Sequence, residues 1–182
     1  MYLMNSLDEM THQLEERGLM SVNPAFANWF VGFVDGEGCF LYQEGQYKAC
    51  LQIQLRDDDL PVLLEIQQHL QMGNICHLYP TENMLKNTPG AQPVSRLAIY
   101  RKADCWALVL LFDEYPLRTK KAHDYTVWRE IVLEIQKKPS MRDHPKLAYL
   151  ADKLKLVRQY SQPAELQEYK LAGSQLELWT DY

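Results

Sequence analysis

Asn28-Trp29-Phe30-Val31-Gly32-Phe33-Val34-Asp35-Gly36-Glu37-Gly38-Cys39-Phe40 is the stretch on which the reading of this chain turns. An apolar run carrying one glycine ends in acid-Gly-acid-Gly and passes directly into a strand pattern. Upstream, Asn23 is a good N-cap and Pro24 suits the first helical position, which predicts a helix from Pro24 to about Asp35. On that helix Trp29, Gly32, Phe33 and Gly36 share one face by i, i+3, i+4, i+7 spacing, while Phe26, Phe30 and Val34 point elsewhere. A helix apolar on both faces has two things to pack against. A mid-helix glycine costs about 1 kcal/mol relative to alanine, so close backbone approach is the reason to expect for it.

Downstream, Cys39 to Glu44 reads as a strand, Glu44-Gly45-Gln46 as a turn and Tyr47 to Arg56 as a second strand. The second strand alternates: Tyr47, Ala49, Leu51, Ile53 and Leu55 point one way, and Lys48, Cys50, Gln52, Gln54 and Arg56 the other. The second row holds cations and amides with no acid among them. Gln and Arg side chains can each make paired hydrogen bonds to base edges in a major groove, so this row favours DNA. Asp57 reads as the cap of a helix running to Gly73, with Asp57-Asp58-Asp59 taken as capping acids at the positive end of its dipole. Asn74 to Tyr79 and Val94 to Arg101 are two more strands, joined by a polar loop that is long for a hairpin. In the last strand Leu97 and Ile99 face the core, opposite Arg96, Ala98 and Tyr100.

Ala103, Trp106, Ala107, Leu110 and Leu111 trace a helix face ended by Pro116. A basic stretch, Arg118-Thr119-Lys120-Lys121, leads into a helix presenting Tyr125, Trp128, Val132 and Ile135 and stopped by Pro139. A further helix carries Leu147, Leu150, Ala151 and Leu154, and a last one starts near Pro163. The order helix-strand-strand-helix-strand-strand-helix predicts an α+β fold: a four-stranded antiparallel sheet with helices packed on one face.

Phe30 to Gly38, read as Phe-Val-Gly-Phe-Val-Asp-Gly-Glu-Gly, resembles the nine-residue signature of the LAGLIDADG homing endonucleases. The element order from Asn23 to Pro139 is similar to the core of that fold, a sheet shaped as a DNA-binding saddle. Residues 1–22 are then an N-terminal accessory helix, 23–139 the endonuclease core and 140–182 a C-terminal helical extension. There is no second copy of the signature: Leu171-Ala172-Gly173 matches its first letters, but Ser174-Gln175-Leu176-Glu177 lacks the paired acids.

The resemblance implies a homodimer in which two motif helices meet through Gly32 and Gly36, with Trp29 and Phe33 around them. It implies that Glu37 is the catalytic carboxylate and, with the Gly36 carbonyl, a ligand of Mg²⁺, with Mn²⁺ or Ca²⁺ as possible substitutes in binding. Lys120 is the matching basic residue at the edge of the active site, with Arg118 and Lys121 beside it. Gln43, Lys48, Gln52, Gln54, Arg56, Arg96 and Tyr100 become the candidate DNA contacts. The implied reaction is a double-strand break with short 3′ overhangs at a long pseudo-palindromic site. Where members often carry a glutamine near the end of the second strand this chain has Leu55, leaving Gln54 or Arg56 as substitutes. The competing expectations are a nucleic-acid-binding protein without cleavage, such as an RNA maturase or a decayed endonuclease, and a module whose motif helix only mediates dimerisation.

Composition bounds these readings. A chain of 182 residues is long enough to bury a real core. Its net charge of −5 opposes nucleic-acid binding unless the charges are segregated, with the acidic excess on the helical back. Four cysteines (Cys39, Cys50, Cys76, Cys105) without CxxC spacing or paired histidines argue for packing thiols in a reduced compartment. The absence of a long apolar run and of a leader pattern predicts a protein of the cytosol or an organelle matrix, with no membrane partner.

Overall fold

A computed structural model describes His12 and residues 22–158. The expected accessory helix of residues 1–22, the helix near Pro163 and the second near-match at Leu171 lie outside the described residues, apart from His12 and Val22. The first helix, α1 (Pro24–Glu37), starts as its sequence predicts: the Asn23 side chain accepts the Ala25 amide at 2.8 Å and Pro24 occupies the first turn. It runs two residues further than expected, so that Glu37 is its last residue.

Strands β1 (Gly38–Gln43), β2 (Lys48–Arg56), β3 (Asn74–Leu78) and β4 (Val94–Ile99) form one antiparallel sheet in the order β1-β2-β4-β3. The register pairs Phe40 with Leu51, Leu51 with Ile99 and Ile53 with Leu97, which puts the apolar rows of three strands on one face. That face is covered by α1, α2 (Leu60–Leu70), α4 (Lys102–Glu114) and α5 (Lys121–Gln136). Phe30, Phe40, Phe112 and Trp128 are fully buried between the layers, with the Phe40 ring 5.1 Å from Trp128 and 5.8 Å from Phe112. Each such ring contributes on the order of 2–3 kcal/mol by leaving water, and together they hold α1 on the sheet.

Beyond this layer, α6 (His144–Arg158) lies along α5 through Leu147, Leu150, Ala151, Leu154 and Val157. Buried Glu134 joins the two helices: it accepts the Asp143 amide at 2.9 Å and pairs with Lys137 at 2.7 Å and Lys146 at 3.5 Å.

Several local expectations are corrected. Tyr47 is not a core strand residue; it sits in the left-handed region at φ 49° after a 3₁₀ turn at Glu44–Gln46, and is exposed. Cys50 belongs to the polar row by register yet is buried, a short side chain directly across from Leu41. Asp57–Asp59 form a 3₁₀ turn, so that Asp59 and not Asp57 stands at the cap position of α2, without a side-chain capping bond. The Asp57 carboxylate instead accepts the Ser95 hydroxyl and pairs with His77 Nδ1 at 2.7 Å, tying the end of β2 to β3 and β4. Helix α2 ends at Leu70 with Gln71 in the left-handed region, before Gly73. The loop between β3 and β4 holds a short exposed helix, α3 (Glu82–Asn87), capped by the Thr81 hydroxyl.

Candidate active site and nucleic-acid interface

The end of α1 is shaped by Gly38. Its amide donates to the Val34 carbonyl, closing the helix, and its backbone is already extended at φ −69°, ψ 149°. A Cβ at this position would stand 2.6 Å from both Val34 Cγ1 and the Val34 carbonyl oxygen. Only glycine permits so abrupt a change from helix to strand against that neighbour, and the change leaves Gly36 and Glu37 exposed at the tip. The last carbonyls of a helix lack partners within it and carry the negative end of its dipole, so the Glu37 carboxylate stands in a field suited to a cation.

Asp35, for which the sequence suggests no separate task, straps a distant loop to this tip. Its carboxylate accepts the Arg118 amide at 2.8 Å, the Thr119 amide at 3.2 Å and the Thr119 hydroxyl at 2.8 Å. The Thr119 hydroxyl also lies 3.3 Å from the Asp35 carbonyl oxygen. A segment 83 residues downstream is thereby held against the last turn of α1. Lys120 follows Thr119 and precedes α5, and Lys121 begins that helix. The strap sets the Arg118–Thr119 backbone against the last turn of α1, and Lys120 and Lys121 follow directly in the chain. The only local hint of the strap is a threonine just ahead of a helix start; its partner is too far along the chain for any periodicity to reveal.

Glu37 and the Gly36 carbonyl offer hard oxygen donors of the kind Mg²⁺, Mn²⁺ and Ca²⁺ accept. Among the described residues no cluster of three or more His, Cys, Asp or Glu side chains could hold a metal ion.

The outer face of α1 is open. Ala25, Asn28, Gly32 and Gly36 are exposed, Trp29 keeps 41% of its surface in solvent, and Phe33 is half-buried with its ring stacked 5.3 Å from Trp29. Among the described residues, no atom beyond the helix's own nearby backbone and the adjoining residues lies within 4 Å of where a Cβ on Gly32 or Gly36 would stand. Neither glycine is required by packing within the described protomer.

On the sheet, the register puts all the predicted contacts on the face away from the helices. Gln43 pairs with Lys48, Gln54 with Arg96, and Gln52 with Ala98; Arg56 continues the row and Tyr100 follows β4. Several of these side chains already hold one another. The Lys48 ammonium stands 5.5 Å over the Tyr100 ring, and Arg96 donates twice to Gln54 Oε1, at 3.0 and 3.2 Å. Asn74, which the sequence reading missed, pairs with Ala98 on the same face and donates to the Tyr100 hydroxyl at 2.8 Å. The alternation of Asn74, Cys76 and Leu78 against Ile75 was the available signal. Arg56 pairs with Asp58 at 2.7 Å, but both are well exposed and such a pair is weak. Leu55 pairs with Ser95 on the helix side of the sheet, whereas Gln54 and Arg56 belong to the opposite face. Burial raises the Cys50 thiol to about 11, which keeps it a neutral packing group between these polar neighbours.

Comparison with known proteins places this geometry. A family described as LAGLIDADG endonuclease matches residues 30–132. A probable intron-encoded endonuclease, Cox1-I1b of Schizosaccharomyces pombe, is 27% identical over 154 residues, covering 80% of this chain and 37% of that protein. The chain therefore spans well under half of that relative's length. Among solved structures, the homing endonuclease I-TnaI superposes with a TM-score of 0.53 at 22% identity, covering 74% of this chain and 96% of that one. The LAGLIDADG meganuclease I-AabMI, bound to uncleaved DNA, gives a TM-score of 0.56 at 24% identity and covers 69% of this chain and 43% of that one. These likenesses establish the fold.

Proposed function

Because the chain belongs to the LAGLIDADG endonuclease family, with which it shares the matched segment 30–132, we propose that it is a homodimeric, site-specific DNA endonuclease making a double-strand break at a long pseudo-palindromic site. The observation that carries this reading is the Asp35 strap, which gathers an acid and a basic segment at the end of a helix whose outer face is open. In this reading residues 23–139 are the catalytic core and 140–182 an extension, of which α6 packs on α5.

Two copies meet along Gly32 and Gly36, with Trp29 and Phe33 flanking the contact, and matched acids then stand near a two-fold axis. Glu37 and the Gly36 carbonyl would hold the divalent cation, Mg²⁺ on this reading, which when bound would supply Lewis-acid chemistry at a phosphate and an activated water. Lys120 places a positive charge where the phosphate gains negative charge, and Arg118 and Lys121 hold the neighbouring backbone. Gln43, Lys48, Gln52, Gln54, Arg56, Arg96 and Tyr100 line the duplex and read base edges through amide and guanidinium pairs.

The test uses the joined DNA flanks of the gene as substrate. The expected result is Mg²⁺-dependent cleavage to short 3′ overhangs, lost on Glu37→Gln while binding persists. Intact DNA with the wild-type protein under both Mg²⁺ and Mn²⁺ would falsify the cleavage reading. Leu55, where the family often carries glutamine, favours one alternative: a catalytically decayed member that binds DNA or acts on RNA as a maturase. That alternative expects salt-sensitive binding without cleavage.

A further inference from the structure

Helix α6 lies beyond the segment that carries the family match, and its last turn returns to the strand that follows Glu37. Arg158 closes the helix, next to buried Val157, and its Nη2 donates to Cys39 Sγ at 2.9 Å. Cys39 stands two residues after Glu37. By register it pairs with Gln52, on the face of the sheet away from the helices. The guanidinium is therefore seated where the polar face meets the tip of α1, on the β1 side, while Arg118, Lys120 and Lys121 approach that tip from the loop strapped by Asp35.

Charge balance separates Arg158 from its neighbour. Lys155, one turn earlier, is answered by Glu44 at 2.7 Å and Asp152 at 3.2 Å. Among the described residues no carboxylate pairs with Arg158; its contact is a thiol, a weak acceptor that leaves most of its five donors available. A planar fork of donors on an exposed guanidinium suits a phosphate oxygen pair.

We propose that Arg158 is a DNA-backbone contact supplied by the C-terminal helix, gripping a phosphate beside the Glu37 end of α1. The proposal rests on the DNA-binding reading above and adds to it a contact that the matched segment does not contain. Such a contact carries no sequence information, so its loss weakens target and unrelated duplexes alike. It releases counterions, so its loss lowers the slope of log affinity against log salt by about 0.9 per phosphate.

The experiment measures that slope for the full chain, with target and unrelated duplex, for wild type, Arg158→Gln, Arg158→Lys and Lys155→Gln. Arg158→Gln is expected to lower the slope by about one per protomer on both duplexes. Arg158→Lys is expected to keep the slope but lose part of the affinity, because the fork is gone. Lys155→Gln removes the same charge one turn away and is expected to leave the slope in place. Unaltered melting temperatures identify folded variants. A wild type with a steep slope that Arg158→Gln does not reduce overturns this proposal alone, as do equal effects of Arg158→Gln and Lys155→Gln. A wild type without salt-dependent binding overturns the DNA reading and this contact with it.

Discussion

Asp35→Ala removes the acceptor of two amides and one hydroxyl at once. Hydrogen bonds to a carboxylate contribute about 1.5–3 kcal/mol each when water is excluded, and here water can replace part of the loss. The expected cost is about 2 kcal/mol, read as a melting temperature lower by roughly 4–8 °C. Asp35→Asn, which keeps an acceptor oxygen, should recover part of it. On the proposed reading, cleavage by Asp35→Ala falls at least as far as by Lys120→Ala, because Lys120 loses its anchor. A melting temperature unchanged by Asp35→Ala would show that the strap is idle. The acid-Gly-acid-Gly close of α1 was legible from four adjacent letters. Asp35 was visible only as a letter, because its partners are set by tertiary folding. Asp57 failed in the same way: local rules assign it to a helix start, whereas Ser95 on the neighbouring strand and His77 on the strand beyond claim its carboxylate.

Elements were legible where one face is buried and one is wet. The alternation in β2 and β4 and the two-faced pattern of α1 follow from that asymmetry, and the structure returns both. The pattern overran at Tyr47, whose aromatic side chain continues the alternation although its backbone has already turned. It was silent at α3, which is six residues long and exposed throughout, so it buries no stripe that could leave a period. For α1, Gly32→Ala separates protomer from assembly. A methyl group there meets nothing in the described protomer, and alanine is the better helix former by about 1 kcal/mol. The isolated protomer should melt at the same temperature or slightly higher. The proposed helix-to-helix contact should weaken by tenfold or more, measured by sedimentation across a concentration series. A dimer indifferent to Gly32→Ala would remove that face from the interface.

At the scale of the whole molecule, three carboxylates set an acid limit. The Ser95 hydroxyl and His77 hold Asp57 below its ordinary value. At Asp113, desolvation pushes upward but hydrogen bonds from Arg129 and Tyr125 outweigh it. At Glu134, desolvation is likewise outweighed by the Asp143 amide and Lys137. Each group is depressed in the fold, so the unfolded chain binds its protons first as pH falls. Stability is full above about pH 5, and is lost as pH drops through about 4 towards the folded values. Urea midpoints between pH 6 and 3 should trace that loss. Asp113→Asn and Glu134→Gln should flatten it while lowering stability at pH 7. The net charge of −5 gave no direct sign of the row of cations and amides on the open face of the sheet, because a total conceals where charges stand. Among the described residues no helix is long and apolar enough to cross a membrane. The strap from Asp35 to Thr119 also has a consequence in time. A nascent chain exposes its acidic motif early, yet the loop that Asp35 binds is translated more than eighty residues later. Until then Asp35 lacks the partners that fix the last turn of α1, so a translation product ending short of Thr119 carries the motif but not the strap.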